Sequence, residues 1–300
     1  MTKTLTGVFG PVITTFDARG ELDLDAFGAN ATAHLDAGLN GLVVAGSTGE
    51  AALLEETERH RIIEMARAVT PSDKWVIAGT GAESTKACVR RCKEAAQRGA
   101  DAVLVVAPHY YSNAMSPASL QAHYERVADE SPLPVLLYNI PKYMHFKLDG
   151  ELVSRLAGHD NIVGMKDSSG DMAYFPNYIA SQSDEFTVIT GNGSSFAQAL
   201  QLGARGGILA VALFAAELSL EVYRAFMAGR LDECNELQRR LTPPATEIVG
   251  RMGIPAVKAA MERVGLKGGP VRLPLLAASP ADLADVDRLL RDASLAGTPA

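Results

Sequence analysis

Lys166 lies in the run Ile162-Val163-Gly164-Met165-Lys166-Asp167-Ser168, near the end of an apolar stretch that reads as a buried parallel strand. Burial drives an amine toward its neutral form, and a neutral amine attacks a ketone carbon to give an imine. The same lysine can instead thread its flexible stem to water and take no part in chemistry. Gly46-Ser47-Thr48-Gly49-Glu50 sets two hydroxyls side by side between glycines, where backbone N–H groups can cradle a carboxylate or simply close a turn. Tyr110-Tyr111 and Tyr138-Asn139-Ile140-Pro141 place phenols at the ends of two further apolar runs. Such rings move protons, or they fill a barrel mouth with their hydroxyls wet. By period two Gly164 shares a strand face with Lys166, so room for a ligand is expected beside the amine.

Eight apolar runs suit the strands that would carry these groups: 8–16, 41–47, 75–81, 101–108, 134–141, 162–168, 186–192 and 206–212. Amphipathic helices lie between them, starting at Ser84 or Thr85 before 86–97, at Ser116 with Pro117, and at Asp149 before 151–156. Glycines close several of them, including Gly38 and Gly99. The alternation predicts an α/β fold, a (β/α)8 TIM barrel over residues 1–215, with the active site at the C-terminal ends of its strands. An open α/β sheet is the alternative, and no dinucleotide fingerprint follows the first strand to support it. Helices at about 217–228, 230–248, 255–264 and 280–294 make residues 216–300 a helical extension packed on the barrel.

The chain has 300 residues, room for a barrel of roughly 250 with an appendage, and its 47% hydrophobic content fits a soluble globular protein. No apolar run reaches the roughly 20 residues of a membrane helix, and Met1–Thr6 lacks the features of a secretory signal, so a cytoplasmic protein without a membrane partner is expected. A net charge of −7 without a basic cluster argues against nucleic acid. Cys88 and Cys92 share a helix face far from Cys234 and read as packing residues. Histidines at 34, 60, 109, 123, 145 and 159 show no close ligand spacing, so no metal is expected.

Taken in order, the GSTGE turn at 46–50, Tyr110-Tyr111, the YNIP run at 138–141, the GMKD run around Lys166 and the glycine-rich segment 203–208 make the chain resemble a known family. It is similar to the pyruvate-dependent class I aldolases, which include dihydrodipicolinate synthase and N-acetylneuraminate lyase, over nearly its whole length. The resemblance implies that Lys166 forms an imine with a small 2-oxo acid, that Tyr138 shuttles protons, and that Ser47 and Tyr111 complete a hydroxyl relay. It implies that Thr48 helps hold the pyruvate carboxylate and that Ile208 lends its backbone carbonyl. Gly191 and Ser168 join Ser47, Thr48 and Ile208 as substrate-binding candidates. In the family, the tyrosine matching Tyr111 comes from a neighbouring subunit, so a homo-oligomer, a dimer of dimers, is expected. No cofactor is implied, because the protonated imine is itself the electron sink for cleaving a 4-hydroxy-2-oxo acid into pyruvate and an aldehyde.

The aldehyde is read from departures within the family. Dihydrodipicolinate synthases carry an arginine where this chain has Tyr143, and the neighbouring Lys142 is expected to point differently. N-acetylneuraminate lyases place acidic residues where this chain has Gly193 and Ser194. The stretch 162–171, the PxYY turn with its following Met-Ser, and the GIP…GGP…PL…SP pattern over 253–280 resemble 4-hydroxy-2-oxoglutarate aldolase, which implies glyoxylate as the aldehyde. The alternatives are 4-hydroxy-tetrahydrodipicolinate synthesis from pyruvate and aspartate semialdehyde, or cleavage of a 2-keto-3-deoxy sugar acid. Outside this chemistry stand a sugar-phosphate barrel enzyme, suggested by the Gly191–Ser195 loop, and a catalytically silent binding barrel.

Overall fold

Eight short strands pair side by side, all parallel, and the last returns to the first. In the computed structural model, which describes residues 3–295, they are β1 (Gly7–Pro11), β2 (Gly41–Val44), β3 (Trp75–Gly79), β4 (Ala102–Val106), β5 (Val135–Asn139), β6 (Ile162–Asp167), β7 (Thr187–Thr190) and β8 (Gly206–Ile208). They form a closed barrel in sequence order, with Phe9 opposite Ile208 where β1 meets β8. The expected TIM barrel with C-terminal helices is therefore the fold. Seven strands fall inside their expected runs and β1 starts one residue before its own, at Gly7; all eight end earlier than expected, where the chain leaves the sheet for the turns at the barrel mouth.

The helices start where short polar side chains satisfy free N–H groups. Ser84, rather than Thr85, caps 85–97 by accepting from Ala87 N–H, Ser116 accepts from Ser119 N–H with Pro117 in the first turn, and Asp149 accepts from Glu151 N–H. Gly38 and Gly99 leave two helices at positive φ, as expected. Cys88, Cys92 and Cys234 are buried free thiols in the packing layer. No helix among the described residues is long and apolar enough to cross a membrane.

Beyond the barrel come helices at Ala216–Met227, Leu231–Pro244, Ile254–Arg263 and Pro280–Asp292. The single helix expected over 230–248 is instead two kinds of helix. Pro243 and Pro244 contribute no N–H, and the chain after them winds as a wider π-helix from Ala245 to Met252. A π-helix was not expected because its hydrophobic spacing resembles that of an α-helix.

Two histidines are locked in the outer layer, His34 at 2% and His123 at 6% exposure, and each keeps an Nε2 without a hydrogen-bond partner. Burial pushes both down from 6.5 to about 4. The unfolded chain protonates them first, so stability is full above about pH 6.5 and falls as the pH drops toward 4. The expected loss is about 3 kcal/mol per histidine. Urea unfolding at pH 7, 5.5 and 4.5 checks it; a flat profile across that window would show that neither histidine is held neutral.

Candidate active site

The ends of β5 and β6 are fastened from behind. Tyr138 stands opposite Lys166 and Asn139 opposite Asp167 in the parallel register. Asn139 Nδ2 donates to Asp167 Oδ1 at 2.7 Å, and Asn139 Oδ1 accepts from Leu148 N–H at 2.9 Å. Ser169 Oγ donates to Asp167 Oδ2 at 2.7 Å, and the Tyr178 hydroxyl donates to the Leu148 carbonyl at 2.7 Å. Desolvation raises the Asp167 carboxyl above its ordinary value, while the donors from Asn139 and Ser169 oppose that rise. This network fixes the strand ends and sends Tyr138 and Lys166 to the other side. Sequence reasoning missed it, although an Asn and an Asp closing neighbouring strands were the available signal.

On that side Lys166 is 5% exposed and donates to the Tyr138 hydroxyl at 3.4 Å, with its Nζ 4.4 Å from the ring centroid. The space beside it differs from expectation. A Cβ on Gly164 would collide with the Thr187 carbonyl, so that glycine admits β7 rather than a ligand. The pairing slips between Val135 and Leu136, which breaks the period-two count back to Ile162. Gly191 makes the room instead: a Cβ there would strike the Ser168 hydroxyl and stand 2.5 Å from Lys166 Cε.

Ser47–Gly49 forms a single 3₁₀ turn after β2, held by Thr14 Oγ1 donating to the Gly49 carbonyl at 2.7 Å. Glu50 follows at φ 56° and is buried, its carboxylate 2.6 Å from Lys258 Nζ and accepting from Arg272 N–H at 2.9 Å. The pair ties the turn to helix 254–263. Desolvation pushes the Lys258 ammonium below its ordinary value against the pull of Glu50.

These pieces surround a cavity of about 280 Å³ lined by Ser47, Thr48, Tyr138, Lys166, Ser168, Gly191 and Ile208. All the expected site residues but one thus meet in one place. Tyr111 does not line it; 69% exposed, it packs edge-on against Tyr110 on the outside of the chain. Of the three hydroxyls in the relay that the resemblance implies, those of Ser47 and Tyr138 belong to residues lining this cavity. Two features were not foreseen. Ala245, Val249 and Gly250 of the π-helix, with Ile254 and Val257, close one side, and Lys142 lines the cavity together with Tyr143. The expectation that Lys142 turns away from the position of Tyr143 fails because β5 ends at Asn139 and the chain coils into the short helix Pro141–Met144.

Two other features lie apart from this cavity. A surface groove of about 640 Å³ between helices 85–97 and 117–130 is larger but is lined by none of the expected site residues. Glu56 and His60, one turn apart on the helix Glu56–Val69, and the distant Glu94 do bring their ligand atoms within 4.8 Å of one another. Arg91 lies 2.6 Å from Glu56, and Arg90 lies 3.6 Å from Glu56 and 3.8 Å from Glu94, so guanidinium groups already serve those carboxylates.

The family model for the dihydrodipicolinate synthetase family matches residues 4–293. Two proteins named 4-hydroxy-tetrahydrodipicolinate synthase are similar over most of their length. That of Methanothrix thermoacetophila is 35% identical over 270 residues, 90% of each chain. That of Xanthomonas axonopodis pv. citri is 37% identical over 293 residues, 96% of this chain and 95% of its own. Among solved structures, a dihydrodipicolinate synthase from Bacillus anthracis superposes with a TM-score of 0.92 at 29% identity, covering 100% of both chains. The chloride-inhibited enzyme from Acinetobacter baumannii, complexed with pyruvate, gives 0.92 at 29% identity over 97% of this chain and 100% of its own. With a barrel, a buried strand-end lysine and a match over nearly its entire length, the chain belongs to the dihydrodipicolinate synthetase family and is a lyase of the pyruvate-dependent, imine-forming class.

Proposed function

We propose that Lys166 forms the imine with pyruvate, and that the resulting enamine is joined to, or released from, a short aldehyde that bears a carboxylate. The observation that carries this is a nearly buried amine beside the Tyr138 hydroxyl, in a cavity whose lining, among the described residues, holds two lysines and no carboxylate. Lys166 Nζ adds to pyruvate C2 and water leaves, so the iminium draws electrons from C3. Loss of a C3 proton gives the enamine, whose C3 bonds to the aldehyde carbon; the reverse path breaks the same bond. The Tyr138 hydroxyl is the group within reach to carry the proton of the new alcohol. Ser47 and Thr48 serve the pyruvate carboxylate, with Ser168, Gly191 and the Ile208 carbonyl around the imine. No other cofactor enters.

For the aldehyde, Tyr143 in the cavity wall supports cleavage of 4-hydroxy-2-oxoglutarate to pyruvate and glyoxylate, since it provides no guanidinium fork. The names of the relatives support the second reading more directly: condensation of pyruvate with aspartate semialdehyde. Comparing kcat/KM for the two reactions decides between them. The first reading expects hydroxyoxoglutarate cleavage to be faster by tenfold or more, and a tenfold advantage for the synthase reaction would overturn it. A homo-oligomer belongs to the same proposal, supported by the outward-facing Tyr110 and Tyr111; a monomer mass by light scattering would remove it.

A further inference from the structure

Lys142 carries a charge that the imine chemistry leaves unused. It sits on the short helix Pro141–Met144 and is exposed at the rim of the cavity. Its ammonium donates to the Gly250 carbonyl at 2.8 Å, and no carboxylate pairs with it among the described residues. Gly250 lies within the last turn of the π-helix, where carbonyls have no partner further along the helix. The contact is thus one cation resting on one neutral acceptor, weaker than the same cation on a carboxylate. Around it the wall is electropositive in a chain of net charge −7: among the described residues Lys142 and Lys166 are its cations, and no Asp or Glu lines it.

An imine at Lys166, with the adjoining carboxylate at the Ser47–Thr48 turn, accounts for one end of a bound 2-oxo acid. Lys142 stands in the same cavity with an exchangeable partner. We propose that Lys142 is the specificity-determining residue for a second carboxylate, releasing the Gly250 carbonyl to water and taking the acid group at the far end of a dicarboxylic 2-oxo acid. This rests on the imine reading above and names the class of substrate for that site. It holds for either aldehyde, because both carry a carboxylate.

The test is borohydride trapping of 2-oxoglutarate against 2-oxopentanoate, which replaces the far carboxylate by a methyl group, with adducts read by intact mass. In the wild-type chain 2-oxoglutarate should half-saturate trapping at about tenfold lower concentration, the scale of a charge-assisted hydrogen bond at a partly solvated site. Lys142→Met should bring the two acids together, and Lys142→Arg should keep them apart; circular dichroism verifies that both variants are folded. A gap that survives Lys142→Met, including one where both acids weaken equally, would make Lys142 a strap between two helices and overturn the proposal. So would the absence of a gap in the wild type. Loss of the imine reading shows differently, as no pyruvate adduct in the wild-type chain, and brings this inference down with it. The choice of aldehyde is scored separately by kcat/KM.

Discussion

Lys166→Ala is expected to lower turnover by about 10⁴-fold or more and to abolish the adduct that pyruvate and borohydride leave on the parent chain. The effect is this large because the proposed chemistry makes this amine the bond-forming group, and among the described residues no other lysine lines the cavity except Lys142, which lies at the rim. Peptide mapping should place the parent adduct on Lys166. The substitution trims a side chain that faces a cavity and has no ion-pair partner among the described residues, so the thermal midpoint should hold while activity vanishes. An adduct on a different lysine, or activity lost only together with the fold, would falsify the assignment of the nucleophile.

Lys258→Met should cost about 3–5 kcal/mol of stability, the usual result of removing one partner from a buried ion pair. Lys258 and Glu50 have side-chain exposures of 2% and 0%, and the substitution leaves the carboxylate with the Arg272 N–H as its remaining donor. Lys258 also donates to the Pro270 carbonyl at 2.7 Å, so that acceptor is orphaned as well. Its ammonium also stands over Phe16, with Nζ 4.8 Å from the ring centroid, and methionine gives up that cation–π contact as well. Glu50→Gln combined with Lys258→Met should cost less than the sum of the single changes, because neither then strands a charge. Denaturant unfolding of the three variants measures this; strictly additive losses would mean that the two side chains do not act as a pair.

The barrel was legible because each strand lies in a short apolar run, most of them ended by glycine or polar residues, and such runs at broadly even spacing leave few alternatives. The Ser47, Tyr138 and Lys166 region was legible for the same reason: in this fold, what ends a strand faces the mouth. Period two worked while the chain stayed extended and failed where it did not. It misjudged Ile162, since the pairing slips between Val135 and Leu136, Gly164, since the Thr187 carbonyl takes the space its missing Cβ leaves, and Lys142, since Pro141 starts a helix. The wall built by Ala245, Val249 and Val257 was hidden for another reason. Amphipathic helices reveal that they have a buried face, but not which part of the barrel receives it. Tyr111 marks a different limit, because the role implied for it lies between subunits and a single chain leaves it outside.

The π-helix wall also orders events in time. The cavity is lined by residues from Pro11 to Val257, whereas β8, which closes the barrel, ends at Ile208. A chain emerging from the ribosome can therefore pair all eight strands while its mouth still lacks a side, and Lys166 stays open to water until the following fifty or so residues have been made. Any 2-oxo acid met during that interval finds an amine without an enclosed site. An enclosed site for imine chemistry in this protein is thus completed late in synthesis, once helix 254–263 has supplied Ile254 and Val257 to the wall.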